Sequence, residues 1–207
     1  MTKIKNFRIT LRGREVARLL KAKIGMPLDP TQEASIEPAL AECRARLKPA
    51  SLYATLTRQT AVNAVPFELP GKAVALSVIG VTIGSGIGDL RQTVDANDQA
   101  RADLLQAIEQ EALQQAAAFA LRLVQDQAKK EDCELTDAQD CQETETRQKL
   151  ATLLDLGRIN LALGESDAAV PAHARLLYTV WLPTGKSAAK KPSSKPAAKS
   201  RLEKAAL

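Results

Sequence analysis

Apolar and polar positions change period several times along this chain, and each change marks an element. "IKNFRITL" sets Ile4, Phe7, Ile9 and Leu11 in a loose alternation that predicts a strand ending at Gly13. "REVARLLKAKIG" then gathers Val16, Leu19, Leu20 and Ile24 on one side of a short helix closed by Gly25. The next helix opens on "DPTQ", where Asp29 caps, Pro30 suits the first helical position and Gln32 occupies the reciprocal capping-box site. It is expected to reach about Leu47 with a bend near Pro38, and Pro49 forbids its continuation.

"SLYATLT" and "VPFEL" predict short strands, and "KAVALSVIGVTIG" a longer one without a polar face, the pattern of a strand buried on both sides. The most regular period is helical. From Asp98 to about Ala128, Leu105, Ile108, Ala112, Ala116, Phe119 and Leu123 recur at spacings of three and four, with Gln, Glu and Arg between them. Residues 129–149 are polar and begin as a loop. A helix from about Glu143 to Leu156, a strand "INLAL", a turn "GESDAAVPAH" and a final strand "ARLLYTVWL" ended by Pro183 follow. Strands and helices interspersed without strict alternation predict an α+β fold: one mixed domain over 1–182, with a central antiparallel or mixed sheet flanked by helices. Residues 183–207 are mostly Lys, Ala, Ser and Pro and are expected to form a disordered basic tail.

Charge changes this picture only when divided along the chain. The net +5 of the 207 residues resolves into +6 in residues 183–207, from seven Lys or Arg against one Glu, and −1 in the remainder. Within the body, residues 1–24 carry eight basic groups and one acid, whereas residues 126–149 carry eight acids and four bases. Such blocks read first as solvated faces and second as docking surfaces. The tail offers phosphate contacts to a nucleic acid, although it reads first as a solubilising segment. Aromatic residues make up 3% of the chain, which argues against base-stacking modules.

Three cysteines without a CxxC pair and a single histidine, His173, indicate neither a disulfide framework nor a metal site. Reduced thiols and a cytoplasmic location are expected. The start "MTKIKNFRIT" lacks an apolar signal region, and no window approaches the length of a membrane span.

One stretch carries candidate chemistry. "VIGVTIGSGIGD" places Gly80, Gly84, Gly86 and Gly88 between a strand and a helix expected near Asp89, the setting of a phosphate loop. The third glycine is out of register for the dinucleotide fingerprint, an acid stands where a pyrophosphate would approach, and no lysine follows as a Walker loop requires. A tight strand-to-helix turn fits better. No triad or acid pair emerges elsewhere, and no catalytic residue is assigned.

Four segments, taken in order, resemble the activation (reactivation) domain family of cobalamin-dependent methionine synthase, in its free-standing form. They are "IKNFRITLRGREVARLLKAKIG", "VTIGSGIGDL", "LLQAIEQEALQQAA" and "TRQKLATLLDLGRINLALGESDAAVP", the last with Leu163, Glu165, Ser166 and Pro171 in matching positions. The likeness spans residues 3 to about 182. It implies binding of S-adenosylmethionine and presentation of its methyl group to cobalamin held by a partner methyltransferase module, with no membrane involved. It also nominates Thr82, Gln114, Arg147, Glu165 and Ser166 around the cosubstrate, and no metal ligand on this chain.

Several of the family's ligand positions are changed. The segment before the last helix, which in the family holds the cosubstrate through an Arg-x-x-Pro-Gly-Tyr type motif, is here "CELTDAQDCQETETRQKL", and its only arginine, Arg147, falls late. In the central helix the family's Asp, Gly and Glu fall on Gln106, Glu109 and Gln114. The family's later Ser-Val-Ser-Gly falls on Ala174, Arg175, Leu176 and Leu177. A non-catalytic adaptor that keeps the fold is the alternative expectation.

Overall fold

The computed structural model describes residues 1–164 and 169–185. Strands β1 (Thr2–Lys5), β2 (Ala50–Thr57), β3 (Ala75–Thr82), β4 (Cys133–Leu135), β5 (Gln139–Asp140) and β6 (Ala174–Pro183) form one sheet in the order β1-β2-β3-β6-β4, with β5 following β4 along the same edge of β6. Every pairing is antiparallel. The expected α+β class with a central sheet flanked by helices is therefore the observed one.

Alternation along the strands divides the core in two. Tyr53, Ile79, Val81, Leu177 and Trp181 point to one face; Leu52, Ala54, Leu76, Val78, Leu176 and Val180 point to the other. The first face is covered by α1 (Gly13–Ile24), α2 (Pro30–Arg44), α4 (Gly86–Gln92) and the long α5 (Gln99–Lys130). The second lies under α3 (Arg58–Ala64), α6 (Thr144–Thr152) and a 3-10 turn at Leu156–Ile159. A strand covered on both faces has no place for a polar side, which is why β3 reads as a continuous apolar run.

Local chemistry sets the boundaries. Asp29 accepts from the Gln32 N–H while the Gln32 side chain accepts from the Asp29 N–H, completing the capping box, and Gly25 closes α1 at φ +76°. The first expected strand stops at Lys5, because Asn6 turns into the left-handed region and its N–H bonds to the Pro49 carbonyl. Phe7 then stacks on Phe119 of α5 with ring centroids 4.1 Å apart, so residues 7–12 cross the first layer as an extended connector.

"VPFEL" is likewise not a strand. The chain leaves β2 directly into α3, and Pro66 and Pro70 each remove a donor that a ladder would need. The loop is held instead by Arg58, whose guanidinium donates to the carbonyls of Pro70, Gly71 and Ala73 at 2.9, 2.7 and 3.0 Å. "INLAL" begins in the 3-10 turn and breaks at Asn160, φ +54°, so it adds no strand. Conversely, the polar stretch 129–149 supplies the short edge strands β4 and β5, which lack an apolar period because their outward positions meet water.

Candidate functional site

At the end of β3 the glycines shape a turn already filled by protein. Thr82 Oγ1 donates to the His173 carbonyl at 3.1 Å and accepts the Gly84 N–H at 3.0 Å. Gly84 has φ +77°, and a β-carbon there would stand 3.1 Å from Lys48 Cβ. One on Gly86 would stand 2.7 Å from the Arg46 carbonyl oxygen. Residues 46–48 thus occupy the space a phosphate would need, and Asp89 accepts from Ser85 Oγ at 3.0 Å at the mouth of the turn.

Beneath the turn, α5 buries two acids that its apolar period assigned to the polar face. Glu111 is fully buried and accepts from Arg12 Nε at 2.9 Å and from Gln115 Nε2 at 3.0 Å. Glu109, 4% exposed, meets Arg91 through Oε2 at 3.2 Å, while its buried Oε1 has no hydrogen-bond partner. Burial pushes the Glu109 carboxyl above its usual range, and the nearby Arg91, then His173, oppose the shift.

The best-formed polar cleft lies on the other side of the molecule. Phe67, Gln139, Asp140, Cys141, Glu143, Thr146 and Tyr178 surround about 450 Å³, with β5 and the approach to α6 as one wall. Phe67 and Tyr178 stack with centroids 4.6 Å apart and planes 27° from parallel. Asp140 is held by both guanidinium arms of Arg175, at 3.0 and 2.6 Å. Glu143 accepts from Thr146 Oγ1 at 3.2 Å. Burial pushes the Cys141 thiol up to about 12, and burial, then the neighbouring Cys141 and Glu143, raises the Tyr178 phenol. Neither group ionises near neutrality, so the cleft offers carboxylates, amides and aromatic faces rather than a nucleophile.

The three nominated residues that are described do not converge. Thr82 belongs to the glycine turn. Gln114 lies on α5 over the first face, whereas Arg147 lies on α6 over the second, donating to Thr144 Oγ1 at 3.0 Å. The sheet separates those two helices. Glu165 and Ser166 fall outside the described residues. Gln106, at the family's Asp position, is exposed and accepts from Lys23 Nζ.

Phe67, Asp140, Glu143, Tyr178 and the buried Glu109 escaped the sequence reading. The scarcity of aromatic rings was one usable signal, since two of the five Phe and Tyr residues meet at this cleft. Among the described residues no group of three or more His, Cys, Asp or Glu is placed to hold a metal, and no helix is long and apolar enough to cross a membrane. Compared with protein-family models and with curated proteins, the chain matches none.

Proposed function

We propose that this protein is a divergent reactivation partner of a cytoplasmic cobalamin-dependent methyltransferase, and that the Phe67–Tyr178 cleft is its site for S-adenosylmethionine. The observation that carries this reading is positional: the segment before α6, where the resemblance places the cosubstrate, walls the polar cleft at the sheet edge. The cleft also suits a cation. Glu143 supplies negative charge, Asp140 being already paired with Arg175, and the Phe67–Tyr178 stack lines the cleft with aromatic surface that favours a sulfonium.

The opposite end of the cosubstrate fits less well, because Arg175, the guanidinium beside the cleft, is already engaged by Asp140. Its carboxylate would compete with Asp140 for that fork or stay in water, which makes weak binding the expectation. The cobalamin, carried by the partner, supplies the metal-centred methyl acceptor. This chain's residues orient the donor and leave it open to a second protein, a role that needs no acid or base.

Calorimetry of the purified chain with S-adenosylmethionine and with S-adenosylhomocysteine, its uncharged thioether counterpart, tests the reading. The sulfonium compound should bind about tenfold or more tightly than the thioether, about 1.4 kcal/mol, and Glu143→Gln should erase the difference. Equal affinities, or no binding of either, would end it. The adaptor reading is favoured by a separate feature, a hollow of about 460 Å³ between α1, α2 and α5 where Leu20, Pro38, Ala39 and Leu104 meet the polar Gln32, Ser35, Glu42, Asp98 and Arg101. Capture of a corrinoid protein unchanged by S-adenosylmethionine would select it.

A further inference from the structure

Residues 7–12 keep a strand's pattern without a strand's partner. Burial alternates along them: Phe7 and Ile9 are half-buried and Leu11 is buried, while Arg8, Thr10 and Arg12 are exposed. The inward side chains pack on the first layer, and the stack on Phe119 pins Phe7 there. Both ends of the segment are fixed, one by the bond from the Asn6 N–H to the Pro49 carbonyl at 2.8 Å and the other by the start of α1 at Gly13. Among the described residues no hydrogen bond reaches the main chain of Phe7, Arg8, Ile9, Thr10 or Leu11. Roughly 17 Å of extended backbone is therefore held in place with its donors and acceptors unpaired by protein.

A hollow of about 360 Å³ opens beside this segment. Phe7, Ile9 and Leu47 form its apolar wall, Arg8 and Arg44 its charged one, and no acid lines it. Arg8 makes no ion pair among the described residues. Arg44 meets Glu37 at 3.8 Å, and that glutamate is itself 72% exposed, so the pair is loose.

Three separate features point to one kind of occupant. Unpaired main chain over five residues is the requirement for adding a strand. The hollow takes an apolar side chain from that strand, and the two guanidinium groups favour carboxylates. The opposite edge of the sheet suits such a ligand poorly, because β4 and β5 bring Glu134 and Asp140 there, with Glu131, Asp132 and Asp137 next to them in the chain.

We propose that residues 7–11 receive an extended acidic peptide of a partner protein as an added strand. Main chain bonds to main chain, an apolar side chain of the peptide enters the hollow against Phe7, Ile9 and Leu47, and its carboxylates pair with Arg8 and Arg44. This is an interaction surface apart from the Phe67–Tyr178 cleft, and it holds whether or not that cleft binds S-adenosylmethionine.

Fluorescence anisotropy of the full chain with a labelled peptide of alternating Glu and Val, about eight residues long, tests it at about 50 mM salt. The peptide should bind, and the double variant Arg8→Gln, Arg44→Gln, with its fold checked by circular dichroism, should bind it at least about tenfold more weakly. A polyglutamate of the same length, which has nothing for the hollow, should also lose about tenfold or more. Every second amide of a strand faces the same neighbour. Of two peptides N-methylated on all Val or on all Glu amides, one should therefore keep its affinity and the other lose it by at least about tenfold. Hydrogen exchange read by mass spectrometry should find the amides of residues 8–11 fast in the free chain and slowed in the complex. Neither of these last two readouts depends on a variant.

No binding of the Glu–Val peptide, unchanged binding by the folded double variant, or equal affinity for polyglutamate would overturn the proposal. Two methylated peptides that behave alike, or exchange at residues 8–11 unaltered by the peptide, would overturn it as well. So would duplex DNA or anionic vesicles that bind as tightly and depend equally on Arg8 and Arg44, or a dimer of the chain that the double variant dissociates.

Discussion

Glu109 shows how one side chain departs from the rule its neighbours obey. It stands one position from Ile108 in a helix whose apolar period would turn it outward, yet α4 folds over it and leaves Oε1 without a partner. Facing it are Arg91 from α4, His173 before β6 and, from α2, the buried thiol of Cys43, which is itself pushed up to about 11. The folded protein holds the Glu109 proton to higher pH than the unfolded chain does. Its contribution is therefore most favourable below the usual glutamate value near 4.5 and is lost as pH rises through the folded value. Glu109→Gln, which keeps the shape of the neutral acid, should leave stability little changed near pH 4 and raise it at neutral pH. Urea melts of both proteins across that range would show it; a gap that does not widen with pH would refute the assignment.

At the scale of elements, the glycine turn is set by what packs on it. Gly86→Ala would drive a β-carbon to 2.7 Å from the Arg46 carbonyl, a backbone atom that cannot swing away. It should lower stability by about 1 to 3 kcal/mol, measurable as a reduced denaturation midpoint with an unchanged slope. That close approach was not visible in the sequence, because it joins residues 46 and 86 from different elements. What was legible has a local cause: the Asp29 capping box, the Gly25 stop, the apolar run of β3 and the long period of α5. What was not legible depends on distant partners. β4 and β5 exist because β6 offers them an edge, "VPFEL" is tied down by Arg58, and the Phe67–Tyr178 stack joins a loop to the last strand. The nominated site residues came from family positions. Those positions place Gln114 and Arg147 on opposite faces of the sheet, which linear order does not reveal.

Across the whole molecule, the two layers are bound to one sheet, and Trp181 helps lock it: buried at 2% exposure, it donates from Nε1 to Ser77 Oγ at 2.9 Å on the neighbouring strand. Cys43 lies in the first layer and Cys141 in the second, both buried and both with thiols held protonated by burial. If the layers unfold together, a thiol reagent should label these two cysteines at the same rate in intermediate denaturant, a rate set by global opening. Mass spectrometry after timed labelling would measure it, and a faster Cys141 would mean that the second layer opens by itself.

Among the described residues β6 is the last strand to be made, yet it lies inside the sheet, with β3 on one side and β4 and β5 on the other. During translation, then, the flank of β3 stays open until residues 174–183 have left the ribosome, and the nascent polypeptide carries eight unzipped residues of its most apolar segment. A ribosome stalled before that point would display an adhesive edge, which makes this stretch of synthesis the one where a holding chaperone has most to do.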